Sequence, residues 1–367
     1  MSANDHRSVR GRHGRGLAAA SLARFAPAAQ DATPPPAAEG WEVPGYRLPL
    51  PGTVSDEMRE LIAAPPGAFW QSSPTAGQFR QAQEAAAEAR AEPTRATWRE
   101  LGLAVEETAI AGVPVYILTP PNMEERNRDR LLVNTHGGAY VFNKGVAASA
   151  DAAFIAHAAG IRTVAIDYRM PPDHPFPAGL DDSVAVFTEV IKERDPGKTG
   201  FTGTSAGGNM AMATLLKLAE LGRPLPAALM INSPWTDLSG AGDSNVVNEM
   251  VDNIIVTSDG AVKGAANLYA AGVSLTDPLV SPVYADLSPF PPTLLLTGTR
   301  YLNLSLTVRV HRALRQLGID AELHVWEGLP HAMWMPWDDP VRLAQSSPPE
   351  AEDCFREIRE FFDRRLG

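Results

Sequence analysis

TGFTGTSAGGNMAMATLLKLAEL, residues 199–221, packs a strand, a sharp turn and a helix into one run. Thr199 to Thr202 reads as a short strand, and Ala206 to Leu221 carries Ala, Leu and Met at helical spacing. Between them Gly203-Thr204-Ser205-Ala206-Gly207 has the form G-x-S-x-G. A strand that turns directly into a helix lifts such a serine clear of the backbone. Glycines two residues before and after relieve the crowding that this conformation creates. The helix N-terminus adds backbone N–H groups and a favourable field beside the hydroxyl. Alone, five small residues do not separate this turn from an ordinary connection with a chance serine.

Two flanking segments do. LLVNTHGGAY, residues 131–140, is an apolar strand ending in a turn whose glycines leave their N–H groups unobstructed. Lying ahead of the serine, it fits a donor loop for an oxyanion. Gly137, Gly138 and Ala206 are the expected donors, aimed at charge that exists only in the transition state. His136 is expected to hold the turn rather than to transfer protons. WEGLPHAMW, residues 326–334, follows the strand-like 321–325 near the C-terminal end. Of eight histidines only His331 sits in a loop after the final strand, where the general base of this arrangement belongs.

These three motifs, in this order, resemble those of the hormone-sensitive lipase-like esterases of the α/β-hydrolase fold. Asp167-Tyr168-Arg169, His174-Pro175-Phe176-Pro177-Ala178, Asp181-Asp182 and Ser233-Pro234-Trp235 extend the likeness over roughly residues 100 to 365. Thr204 is similar to the subset that carries G-T-S-A-G. The resemblance implies an α/β fold with an eight-stranded, mostly parallel sheet, flanking helices and an N-terminal helical cap. It implies hydrolysis of carboxylic esters, often of short acyl chains, with no metal and no organic cofactor.

One part departs from the pattern. The resemblance places the triad acid near residue 301, but the loop reads Gly298-Thr299-Arg300-Tyr301-Leu302-Asn303-Leu304-Ser305-Leu306, without a carboxylate. A neutral phenol, with an ordinary pKa of about 10, supplies no full negative charge to the histidine. Asn303 is a candidate substitute orienter through its amide oxygen. Glu327 is read as structural, and Asp277, Asp286, Asp338 and Asp339 have no motif to recommend them. The expectation is an impaired esterase running on Ser205 and His331. The alternatives are a non-catalytic ligand- or partner-binding protein on a hydrolase scaffold, and an acyltransferase whose acceptor nothing identifies.

Composition bounds the rest. With 367 residues the chain is long enough for one large α/β domain with a cap. Cys354, the one cysteine, excludes an intramolecular disulfide, and no Cys/His cluster suggests zinc. Formal charge is −11; residues 1–30 carry +4, so the remainder is more acidic still. Such a body disfavours nucleic acid and leaves a small-molecule ester as the expected partner. No apolar run is long enough for a transmembrane segment. A homodimer is compatible with the sequence.

Residues 1–40 read as a basic tail or short export signal followed by a Pro-rich linker. Location is therefore open between the cytoplasm and export. Residues 41–100, with helices expected over Ser55 to Ala63 and Gly77 to about Leu101, form the expected cap, and 101–367 the catalytic domain. Ser239 to Val273 is a second candidate rim. Tyr140, Trp235 and Trp334 are the candidate pocket residues.

Overall fold

The apolar runs β3 (Leu131–Thr135), β4 (Thr163–Ile166), β5 (Thr199–Thr204), β6 (Ala228–Asn232) and β7 (Thr293–Gly298) are strands with every residue buried. Burial on both faces is what parallel strands covered by helices require. β1 (Ala104–Ile110), β2 (Val113–Thr119) and β8 (Ala321–Trp326) complete an eight-stranded sheet of order β1-β2-β4-β3-β5-β6-β7-β8. β2 runs antiparallel to β1 and β4; every other pairing is parallel. The computed structural model describes residue 45, residues 47–332, residue 344 and residues 347–367, the Trp70 side chain excepted. Arg47–Gly367 is one compact unit. The expectations for residues 1–40, for Trp334 and for Asp338 and Asp339 lie outside the described residues.

Side chains alternate along each strand, so the sheet feeds two cores. Val133, Phe201, Leu229, Ile231 and Leu295 join one, together with residues of α4 (Ala178–Glu193), α5 (Ala206–Glu220) and α8 (Leu304–Gln316). Leu132, Met230, Leu294 and Leu296 join the other, with α3 (Ala150–Ala159) and α9 (Pro349–Arg365). α9 closes that second face with Cys354, Phe355, Ile358, Phe361 and Phe362. Its end is held by Arg130, which donates to Asp363 Oδ1 at 3.0 Å and to the Leu366 carbonyl.

α1 (Asp56–Ile62) and α2 (Ala76–Glu100) precede the sheet. α1 is capped by Ser55, whose backbone N–H and hydroxyl donate to Glu350 of α9 at 2.6 and 2.8 Å. α2 starts at a capping box between Thr75 and Gln78. Gln83 of α2 donates to the carbonyls of Val141 (2.9 Å) and Pro171 (3.2 Å), and Arg90 donates to Asn143 Oδ1. The helix thus lies against the segment that follows β3. Among the described residues no helix is long and apolar enough to cross a membrane.

Candidate active site

β3, β5, β6, β7 and β8 run parallel, so their C-terminal ends share one edge of the sheet. That edge is where open α/β sheets place ligands. Ser205 stands between β5 and α5 with φ 58° and ψ −122°, a conformation L residues rarely adopt. Its N–H donates to the Asn232 carbonyl (2.9 Å) and its carbonyl accepts from Trp235 (3.0 Å). A Cβ on Gly207 would lie 2.0 Å from the Thr135 carbonyl oxygen, and one on Gly203 would lie 2.3 Å from that of Gly207. The two glycines are there because backbone passes where a side chain would be.

After β3 the chain supplies open donors, with one correction to the expected set. The Gly137 N–H donates to Asp151 Oδ2 (3.2 Å) and so is not free for an oxyanion. The N–H groups of Gly138, Ala139 and Ala206 have no acceptor among the described residues. Gly138 and Ala139 have φ of 110° and 51°, which turns the loop toward the serine's edge of the sheet. His136 is fully buried, stacks on Tyr168 (centroids 4.2 Å apart) and has Nδ1 2.7 Å from the Gly137 carbonyl. A carbonyl only accepts, so Nδ1 carries the proton. Burial lowers the His136 pKa to about 4, and the ring is neutral. Burial also raises Asp151 to about 6, with the Gly137 N–H working the other way.

His331 is 4% exposed, and burial lowers its pKa to about 3. Its Nδ1 has no hydrogen-bond partner among the described residues. Tyr301, fully buried, stacks on the ring with centroids 4.9 Å apart and planes at 25°. Its hydroxyl does not face that nitrogen: it donates to the Ser233 carbonyl at 2.7 Å, with Pro234 at 3.3 Å. Asn303, expected as a substitute orienter, is buried at the start of α8, where its amide acts on the Tyr301 hydroxyl and leaves His331 Nδ1 without a partner. The loop is short and its amide is used locally. Glu327 is exposed, beside Arg300.

Ser205 and His331 border one pocket of about 100 Å³, with Arg90, Phe142, Ile254 and Ile255 among its other walls. Tyr140 and Trp235, expected in the pocket, are absent from its walls. Tyr140 is fully buried and stacked on Tyr269 at 3.7 Å, and Trp235 packs 6.1 Å from Tyr140 in the core. A larger open groove of about 840 Å³ runs along β1 and the end of α4 and contains none of these groups. Among the described residues no cluster of three or more His, Cys, Asp or Glu side chains is placed to hold a metal.

Residues 132–335 match a family model described as alpha/beta hydrolase fold. The chain belongs to the α/β-hydrolase family. Its likeness within this family is to the hormone-sensitive lipase-like esterases. An acetyl-hydrolase of Streptomyces hygroscopicus is 32% identical over 59% of this chain and 71% of its own length. Among solved structures, esterase E25 is 38% identical with a TM-score of 0.83, covering 89% of this chain and 99% of that one. An esterase of the bacterial hormone-sensitive lipase family is 29% identical with a TM-score of 0.70, over 85% and 99%. The α/β-hydrolase frame accounts for the order of the loops along the sheet edge. It does not pick out Asp151, Arg90 or the buried Asp252, which sequence reasoning missed. Asp252 lies in the candidate rim 239–273, but no motif marks it.

Proposed function

We propose that the chain is a serine carboxylesterase of the G-T-S-A-G group, acting on small, short-acyl esters through an acyl-enzyme and slowed by Tyr301. The shared pocket of Ser205 and His331 carries this reading, and the open N–H groups of Gly138, Ala139 and Ala206 support it. Ser205 Oγ attacks the ester carbonyl while His331 takes its proton. The three amides stabilise the oxyanion. Collapse breaks the bond to the alkoxy oxygen, which leaves as alcohol with the proton from His331. Water, activated by the same imidazole, then releases the acid and restores Ser205.

The small pocket favours short acyl groups, and α2, reaching it through Arg90, acts as the cap that restricts entry. The missing element is a charge on His331 Nδ1. In serine proteases loss of that acid costs roughly 10⁴ in turnover, about 5.5 kcal/mol. The uncharged, donating Tyr301 hydroxyl also supports a second reading, a binding protein on a hydrolase scaffold.

Hydrolysis of a short-chain activated ester by the protein, Ser205→Ala and Tyr301→Asp separates the two. The esterase reading expects turnover that vanishes in Ser205→Ala and rises by about 10² or more in Tyr301→Asp. Absence of serine-dependent turnover in all three favours the scaffold.

A further inference from the structure

Within 239–273, between α6 (Ser244–Val247) and α7 (Gly260–Ala270), Asp252 is fully buried. Its Oδ2 accepts the Leu302 N–H at 2.9 Å; its Oδ1 accepts those of Ile254 (3.0 Å) and Ile255 (3.4 Å). The backbone N–H of His331 also faces the carboxylate and works against the rise in its pKa. Leu302 follows Tyr301, and Ile254 and Ile255 border the pocket. A single carboxylate is therefore shared by the acid loop, the base loop and the pocket wall.

All four donors are neutral amides, and among the described residues Asp252 has no ion-pair partner. The titratable groups facing it are Tyr301 from the loop after β7 and His331 from the loop after β8. On its own segment, Glu249 accepts from Thr257 Oγ1 (2.7 Å); on the neighbouring loop, Arg300 is directed to the Pro49 carbonyl and Glu327. From α1 and the turn after it, the Leu61 and Ala64 carbonyls accept from Asn253, and Ile254 packs against Val54, Met58 and Ile62; none of these contacts brings a charge to Asp252.

We infer that Asp252 is a positioning residue that supplies, through the backbone of the His331 loop, the buried negative charge the loop after β7 lacks. The inference rests on the esterase reading. An uncancelled charge in a dry site acts strongly on a neighbouring imidazolium. It stabilises the cation formed when Ser205 loses its proton and holds the loop that carries the ring. It does not touch Nδ1, so it replaces only part of what a triad acid provides. Burial raises the Asp252 pKa to about 6, against four opposing amides, so the charge is present above about pH 6 and lost below it. His331 stays neutral throughout that range.

The test is the rate of Ser205 capture by an alkyl fluorophosphonate between pH 5 and 8.5, which needs no ester turnover. The proteins compared are the unsubstituted chain, Asp252→Asn, Tyr301→Asp and the double variant. The unsubstituted protein should slow as pH falls through about 6. Asp252→Asn should be at least about tenfold slower at pH 8 and lose that limb. In the Tyr301→Asp background the same change should cost about threefold or less, because a carboxylate again faces the ring.

A flat profile in the unsubstituted protein overturns the inference without any variant. So does a limb that persists in Asp252→Asn, which then belongs to Asp151. An equal loss in both backgrounds marks Asp252 as merely structural. Capture in Tyr301→Asp but not in the unsubstituted protein sinks the Asp252 role alone. No capture in either sinks the esterase reading as well.

Discussion

At position 301 a packed ring stands where a charge is expected, and the loop keeps its place by other means. The Tyr301 hydroxyl ties the loop to Ser233, and Ser233 Oγ in turn accepts the Ala332 N–H at 3.2 Å. Tyr301→Phe should therefore cost about 1–2 kcal/mol in a denaturant titration, by stranding buried acceptors. Ester turnover should change less than about threefold, since the hydroxyl donates away from His331; a larger fall would make the phenol part of the chemistry. Tyr301→Asp should gain rate yet lose about 3 kcal/mol of stability, from lost ring packing and a newly buried carboxyl. Ser205 and His331 are legible in the sequence because glycine spacing and loop order mark them. Asp252 is not, because its partners are backbone amides with no side-chain signature. The Gly137 assignment fails for a related reason: which glycine N–H stays open is decided by Asp151, fourteen residues later in the chain and in another element.

Among elements, the β5–Ser205–α5 unit tolerates least. Gly207→Ala should cost about 3 kcal/mol or more, since the added carbon meets the Thr135 carbonyl and neither backbone has room to retreat. Urea midpoints read this directly; a shift under about 1 kcal/mol would mean that α5 is free to move off β3. The same closeness explains why this unit is legible from residues 199–221: no other residue type fits. Helices with strong caps or composition are also legible. The expected Ser55 to Ala63 is observed as Asp56–Ile62, and the expected Gly77 to about Leu101 as Ala76–Glu100. β1 escapes a pattern reading because it lies mostly exposed at the sheet edge, where AVEETAI has no buried face to write into the sequence.

At the scale of the whole fold, four fully buried titratable groups among the described residues dominate the response to acid. His136 and His331, lowered to about 4 and 3, take up protons first in the unfolded chain as pH falls below about 6.5. Their stability is complete above about 6.5 and is lost toward pH 4 and 3. Asp151 and Asp252, raised to about 6, take up protons first in the folded chain and add stability between about 6 and 4. At pH 5 each histidine costs about 2 kcal/mol and each carboxyl returns about 1 kcal/mol. Thermal unfolding should shift down by only a few degrees from pH 7.5 to 5, and by more in Asp252→Asn. An equal shift in the two proteins would show that Asp252 does not titrate there.

The position of α9 carries a consequence for how the chain is made. A ribosome-bound chain released only as far as residue 348 already holds all eight strands. Leu132, Met230, Leu294 and Leu296 nevertheless lack the share of their cover that α9 supplies, because its phenylalanines have not emerged. The glutamate that fastens Ser55 is missing as well. Such a nascent chain presents part of one greasy side to its surroundings until α9 arrives, and in that interval it invites a chaperone or another copy of itself.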